Sequence, residues 1–371
     1  MSSADWATGR PLSRRRALKT LGASLAAVGL GVPGRARAQQ TAAPRRKVTG
    51  NMVLATWGGR YSKAMKDFFL TPFSQETGVT AQTVDAPGGF VPMLQAQAKA
   101  GNVTWDLVDV GEADSLFLLD NGLVQPLPPE VKADLIGAVG EQHVTDHGIS
   151  FAAFGWVIAA NRKAAKRIPT TPAEFFDVQQ VPGRRTMYGE DQLTGVLYAL
   201  QADGVARGQL YPPDLDRAYR KLDQVKKSVA VWWRTGDQSQ QVFRDQEVEM
   251  GLLWDGRAAG AIDQGVDLAL SFEGTPISRD LFVVPTNAPN AAAAFEFLRW
   301  YATHPVEGGK WIQTMGYGVA NPKAYEHVPP EIAQRSAYFP GNFAKGFLIN
   351  ARWQSQHRAE LVKRWTQWLS Q

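Results

Sequence analysis

Glu247-Val248-Glu249-Met250-Gly251-Leu252-Leu253-Trp254-Asp255-Gly256-Arg257-Ala258-Ala259 is the stretch whose reading decides the fold of this chain. Val248 to Leu253 is a short apolar run, the length of a buried strand and too short for a core helix. An indole, a carboxylate, a glycine and a guanidinium follow abruptly, before Ala258, Ala259 and Ala261 resume a helical pattern. Strand, polar turn and helix is how open α/β sheets present side chains to a ligand beyond a strand's carboxyl end. Asp255 costs too much to bury unpaired, so it meets a cation or stays wet. Trp254 offers a flat apolar face that also attracts cations. Taken alone, the stretch fits equally well a core Trp254 and an Asp255 that merely caps its helix.

The same alternation runs outward in both directions. Met52 to Thr56 is predicted as a first strand, ended by Trp57-Gly58-Gly59. Ser62 caps a helix through Leu70, with Ala64, Met65, Phe68 and Phe69 on its inner face, and Pro72 breaks it. Val79 to Val84 and Trp105 to Val110 are further strands, separated by a glycine loop (Gly88-Gly89) and a helix carrying Met93, Leu94 and Ala98. An apolar run from Phe151 to Ala160 crosses to a more charged, largely helical region over 161–227. Val229 to Trp233 and Asp280 to Val284 are strands, the second running back. Residues 291–303 and Gln356 to Leu369 carry helical patterns. Strand–helix alternation with these periods implies parallel, doubly wound sheets.

The N-terminus is read separately. Ser13-Arg14-Arg15-Arg16-Ala17-Leu18-Lys19 precedes an uncharged run from Thr20 to Gly34, and Ala36-Arg37-Ala38 is a small-x-small processing site. The run is short of the ~20 residues that span a bilayer. The arginine pair with Leu18-Lys19 resembles a twin-arginine export signal, with Ala17 where Phe is usual. Residues 1–38 are therefore expected to be removed and 39–47 to form a disordered leader. The mature protein is expected to be soluble and periplasmic. The whole chain carries 40 bases against 35 acids. The signal holds seven of those bases and one acid, which leaves 33 against 34, a net charge of −1. The basic balance belongs to the signal and gives no reason to expect nucleic acid. With no cysteine there are no disulfides and no thiolate metal sites. The remaining length is long for a single core and implies two domains.

Thr56-Trp57-Gly58-Gly59, Phe73-x4-Gly78 and Trp105-Asp106-Leu107-Val108-Asp109 resemble extracellular solute-binding proteins of the polyamine (spermidine/putrescine) ABC-importer family. Glu247-Val248-x2-Gly251-x2-Trp254, Asp280-x4-Pro285 and Gly316-Tyr317-Gly318-x-Ala320-Asn321-Pro322 extend the likeness over nearly all of 50–371. The resemblance implies a type II two-lobed α/β fold, each lobe a doubly wound sheet, joined by crossing hinge strands and closing on a ligand. The lobes would be 48–154 plus 282–328 and 155–281 plus 329–371. It implies a monomer that hands its solute to a membrane permease and ATPase, with no cofactor. By position, Trp57 and Tyr61 correspond to a first aromatic pair, Trp254 to the aromatic after the buried strand, and Asp280 to an ammonium-binding carboxylate. Tyr317 corresponds to a hinge-side aromatic and Gln354 to a C-terminal polar contact. Glu190 and Asp191 lie where polyamine binders grip the far amine. Two positions depart: Ser278 stands where Trp is usual, and Thr194 where a second acid is expected.

Aromatics with carboxylates suit alkylammonium ligands, because rings cover methylenes while Asp neutralises the head. Arg234, after an apolar strand and before Thr235-Gly236, adds a bidentate partner for a carboxylate. A short ω-amino acid such as 4-aminobutyrate would place its carboxylate on Arg234 and its ammonium on Asp255 or Asp280, with methylenes against Trp57 and Trp254. Putrescine is the alternative if Arg234 pairs with Asp237 or Asp255. There is no G-x-S-x-G, no P-loop and no G-x-G-x-x-G after the first strand, so no enzyme is expected. A two-lobed transferase and a receptor-docking sensor are the competing readings, because fold does not fix function. His143 and His147 are four apart but flanked by Thr145, Asp146 and Gly148, which reads as an exposed loop rather than a metal site.

Overall fold

The computed structural model describes residues 49–86, 89–190 and 193–371. The expected signal and leader lie outside the described residues, as does Asp191. Ten strands are present among the described residues: β1 (Asn51–Thr56), β2 (Thr80–Asp85), β3 (Leu107–Gly111), β4 (Gly148–Asn161), β5 (Arg185–Tyr188), β6 (Val229–Trp233), β7 (Met250–Trp254), β8 (Leu268–Ser271), β9 (Pro276–Val283) and β10 (Phe347–Leu348). Their order is β2-β1-β3-β9-β4-β7-β5-β6, with β8 added to β4 and β10 to β9. β1 pairs β2 and β3 in parallel, and β5 pairs β6 and β7 in parallel. Between these two parallel sets run the antiparallel strands β4 and β9.

The burial of β4 shows why the fold has two lobes. Ile149, Phe151 and Ala152 pack into a core with Met52, Phe69, Phe282 and the helix Ala291–Thr303. Farther along the same strand, Trp156, Ile158 and Ala160 enter a separate core with Phe175, Tyr198, Leu222 and Trp233. β9 divides in the same way, with Phe282 in the first core and Ile277 beside Val157 and Leu253 in another. A strand buried on both sides must be apolar throughout rather than alternating, which is why Phe151–Ala160 reads as one uninterrupted run. The two halves of β4 meet at a register shift between Phe151 and Phe154. Ala152 there has φ 44°, a left-handed conformation unusual for a residue with a Cβ. Bulges of this kind re-aim side chains beside functional sites.

Three local expectations are corrected. Pro72 does not end the first helix. The chain runs from Gly59–Met65 through one wide π-helical turn, Lys66–Leu70, into Thr71–Thr77, and Pro72 sits in that last segment's first turn. Proline lacks the N–H and clashes with the carbonyl four residues back, and a widened turn before it absorbs both. Gly78, at φ 81°, terminates the helix instead, its N–H donating to Ser74 O. His147 is not exposed but 1 % accessible, its Nε2 2.9 Å from Ser115 Oγ. His143 Nδ1 lies 2.8 Å from Tyr338 Oη. The C-terminal helix begins at Ala351, five residues before the apolar pattern starts, because Asn350 caps it by accepting from Trp353 N–H.

Candidate functional site

A cavity of about 870 Å³ lies between the halves, lined from both. Trp57, Tyr61, Asp280 and Tyr317 face it from one side, Trp156, Trp254 and Arg257 from the other, and Gln354 from the C-terminal helix. Its position follows from the topology: β1, β3 and β7 all end there, where strand ends leave side chains free of the sheet.

One end is acidic. Asp280, on β9, is opposite Gly111 on β3 and Phe151 on β4. Gly111 places no side chain beside this carboxylate; a Cβ there would stand 3.8 Å from Oδ1, in ordinary contact. Trp57 donates from Nε1 to Asp280 Oδ2 at 3.0 Å, and the Trp57 ring rests edge-on against Phe90. Behind Asp280 lies Asp109, wholly buried, with Oδ2 accepting from Thr56 Oγ1 at 3.1 Å. Burial pushes the Asp280 carboxyl well above the usual range, and the neighbouring Asp109 charge pushes it further. Burial likewise raises Asp109 to about 7, against the hydroxyls of Tyr61 and Thr56, which lower it.

The other end is basic. Trp254 closes β7 against a cluster of rings, Trp156 at 5.4 Å, Trp233 at 5.1 Å and Tyr188 at 5.7 Å between centroids. Its Nε1 is buried without a hydrogen-bond partner. Arg257, three residues on in the helix Asp255–Asp263, pairs through Nη1 with Asp237 Oδ1 at 2.9 Å, while its Nε is buried and unpartnered. Buried donors without acceptors are rare and costly, so each marks a place where an acceptor belongs. Tyr317 bridges the two ends: burial raises its phenol, the Arg257 guanidinium lowers it, and Asp280 raises it again.

Residues 69–340 match the model of the bacterial extracellular solute-binding protein family. The chain belongs to that family. This solute-binding protein is 27% identical over 333 residues to the gamma-aminobutyric acid-binding protein of Pseudomonas aeruginosa, covering 88% of this chain and 93% of that one. An ABC transporter substrate-binding protein from Bradyrhizobium japonicum USDA 110 superposes with TM-score 0.78 at 30% identity, covering 86% of this chain and 99% of its own. The Atu4243 GABA receptor gives the same TM-score and identity, over 86% and 97%. These relatives are binding proteins, and the two-lobed architecture is theirs too.

Six of the residues expected from sequence line the cavity of this solute-binding protein: Trp57, Tyr61, Trp254, Asp280, Tyr317 and Gln354. Three do not. Asp255 is 0 % exposed and turned into the body of the protein, its oxygens accepting from Gly155 N–H at 3.3 Å, Gly256 N–H at 2.9 Å and Ala337 N–H at 2.6 Å. Burial raises its carboxyl to about 7, against these backbone donors at a helix start, which lower it. Arg234 is exposed and absent from the lining, just after β6 ends at the buried Trp233. Its N–H donates to Gln238 Oε1 in the cap of the helix Gly236–Arg244. Glu190 is exposed and accepts from Tyr188 Oη at 3.3 Å, off the cavity wall. Arg257, Trp156 and Phe154 were not expected there. The signal for Arg257 was present, because it lies in the first helical turn after β7, where the chain leaves the strand end that faces the ligand space.

Proposed function

We propose that this protein captures a short ω-amino acid, such as 4-aminobutyrate, and delivers it to the permease and ATPase of an ABC importer. The observation that carries this reading is the division of unmet hydrogen bonding. Unpartnered donors, Arg257 Nε and Trp254 Nε1, stand at one end, and the carboxylate of Asp280 stands at the other. A carboxylate at the first end meets a planar guanidinium that binds it in two-point fashion. An ammonium at the second end meets Asp280, with Trp57 and Tyr61 over the methylenes. A diamine would leave both donors empty and set a cation against Arg257. The names of the Pseudomonas protein and of the Atu4243 receptor support the same ligand class.

In this reading the ligand sits between lobes 48–154 plus 282–328 and 155–281 plus 329–371, acts on a monomer, and is met in the periplasm after twin-arginine export. Titration calorimetry with 4-aminobutyrate and with putrescine, on wild type and Arg257→Ala, tests it. Wild type is expected to bind the amino acid, and the variant to lose ~2–5 kcal/mol, roughly 30- to several-thousand-fold. Tight putrescine binding that survives Arg257→Ala would overturn the zwitterion and restore the polyamine reading.

A further inference from the structure

Asp109 has no part in the binding scheme above, yet it is the least explained group in the molecule. It is a carboxylate with no solvent exposure, on an inner strand, with no ion-pair partner among the described residues. Register places it beside Asp280: Gly111 is opposite Asp280, and Asp109, two residues earlier, projects from the same face of the sheet. Its Oδ2 accepts from Thr56, and the buried Tyr61 hydroxyl faces it, both favouring its ionised form. Two carboxylates in one dry site cannot both be ionised cheaply. We propose that the Asp109–Asp280 pair shares a proton that the ligand's ammonium displaces, so that capture in the acidic end of the cleft is coupled to proton release. This rests on the reading of the cleft as an amine site.

Among the described residues the surroundings leave the pair no other neutraliser. From the helix Gly59–Met65 comes Tyr61, from the loop after Met315 comes Tyr317, and from the helix Ala291–Thr303 comes Tyr301, all phenols whose ionisation burial moves upward. From the helix Glu112–Asp120 comes Asp114, a further negative charge felt by Asp280, itself paired to Arg358. Arg279 is next to Asp280 in the chain but points the other way. It spends its guanidinium on both Glu112 oxygens, at 2.7 and 2.8 Å, on Gln142 O and on Ser150 Oγ. Arg60 donates to Thr314 O at 2.7 Å. The empty site therefore balances its charge with a proton. An ammonium against Asp280 favours ionisation of the pair, and the proton leaves for solvent. The linkage has a definite sign: affinity for the cation rises with pH through the range in which the empty pair loses its proton, and weakens on acidification. The ligand's own amine and carboxyl titrate near ~10 and ~4, outside that range. Asp109 acts here through Asp280 and is a positioning residue.

The experiment is calorimetry of 4-aminobutyrate with the full-length mature protein from pH 5.5 to 8, in pairs of buffers with different ionisation enthalpies. Wild type is expected to release a substantial fraction of a proton per ligand and to bind about tenfold or more weaker at pH 5.5 than at pH 8. Asp109→Asn removes one carboxylate, lets Asp280 ionise at lower pH, and should flatten the profile across this range. Thr56→Val, which strips a hydrogen bond from Asp109, should move the profile toward higher pH. A merely structural Asp109 would change melting temperature and affinity equally at every pH. A wild-type profile that is flat, with no buffer-dependent heat, overturns the proposal even if Asp109→Asn does not fold. Failure to bind either 4-aminobutyrate or putrescine at any pH would instead sink the amine-site reading itself.

Discussion

Gly236→Ala gives a test of the basic end of the cleft that does not touch Arg257 itself. A Cβ at Gly236 would stand 2.2 Å from Arg257 Nε and 2.5 Å from Cζ. Ordinary contact begins at 3.4 Å, so the guanidinium must withdraw by the difference, about 1.2 Å. It sits at the end of a flexible side chain, half anchored by Asp237, so it yields rather than the backbone. A charge-assisted hydrogen bond of ~2.8 Å stretched by that much is lost. Hydrogen bonds to charged groups are worth ~1.5–3 kcal/mol, which converts to about ten- to 150-fold in affinity. Stability should not suffer. Gly236 is the first residue of a nine-residue helix and its backbone is not left-handed. There alanine gains ~0.4–1 kcal/mol from a less flexible unfolded chain. The assay pairs calorimetric titration of 4-aminobutyrate with a thermal melt of the empty protein. Arg234→Ala, two residues away but exposed, should bind within about twofold of wild type. If Gly236→Ala binds as tightly as wild type, Arg257 does not hold the ligand's carboxylate. A lower melting temperature with weaker binding would show a packing fault instead.

Asp106→Ala should destabilise the protein by ~2–5 kcal/mol in a denaturant melt, since it strands buried donors that each cost ~1–3 kcal/mol. Asp106 is wholly buried, with Oδ2 accepting from Val53 N–H at 2.8 Å and Oδ1 from Asn290 N–H at 2.6 Å; a change below ~0.5 kcal/mol would refute that assignment. Replacing Arg14 and Arg15 together by Lys should leave unprocessed precursor in the cytoplasm in a fractionation blot, and normal appearance outside would count against the twin-arginine route.

Most of the framework is legible because burial writes periodicity into sequence. Met52–Thr56, Val229–Trp233 and the helix over 291–303 fall within a residue of their observed bounds. Each pairs an uninterrupted or 3.6-residue apolar pattern with a turn residue or cap. What failed was punctuation. Pro72 is a strong breaker in an isolated helix, but the packing of Phe69, Leu70 and Phe73 holds the helix together across it. Tertiary burial outweighs a local penalty of ~3 kcal/mol. His147 shows the converse: polar neighbours suggested solvent, while the ring is covered and satisfied by Ser115, which lies 32 residues away in sequence. Nothing local announces such a partner.

The site divides along the same line, and Asp255 and Arg257 show where. Both follow the strand in the polar turn Trp254-Asp255-Gly256-Arg257, and composition alone gives no way to choose between them. Geometry does. Within the helix that follows Trp254 each residue advances about 100° around the axis, so Arg257, two residues on from Asp255, projects from nearly the opposite side. Asp255 faces inward, where Gly155 and Ala337 offer N–H groups from segments distant in sequence. Arg257 faces the cavity, packed so closely on Gly236 that no side chain fits between them. Arg234 misled for the same reason reversed: it follows an apolar strand, yet the buried Trp233 takes that strand's inward position and Arg234 after it is exposed. Side-chain direction at the end of an element is thus recoverable from sequence when a large aromatic fixes the register. The orphaned donors on Trp254 and Arg257, which carry the functional reading, are not: they depend on what every other part of the chain fails to supply.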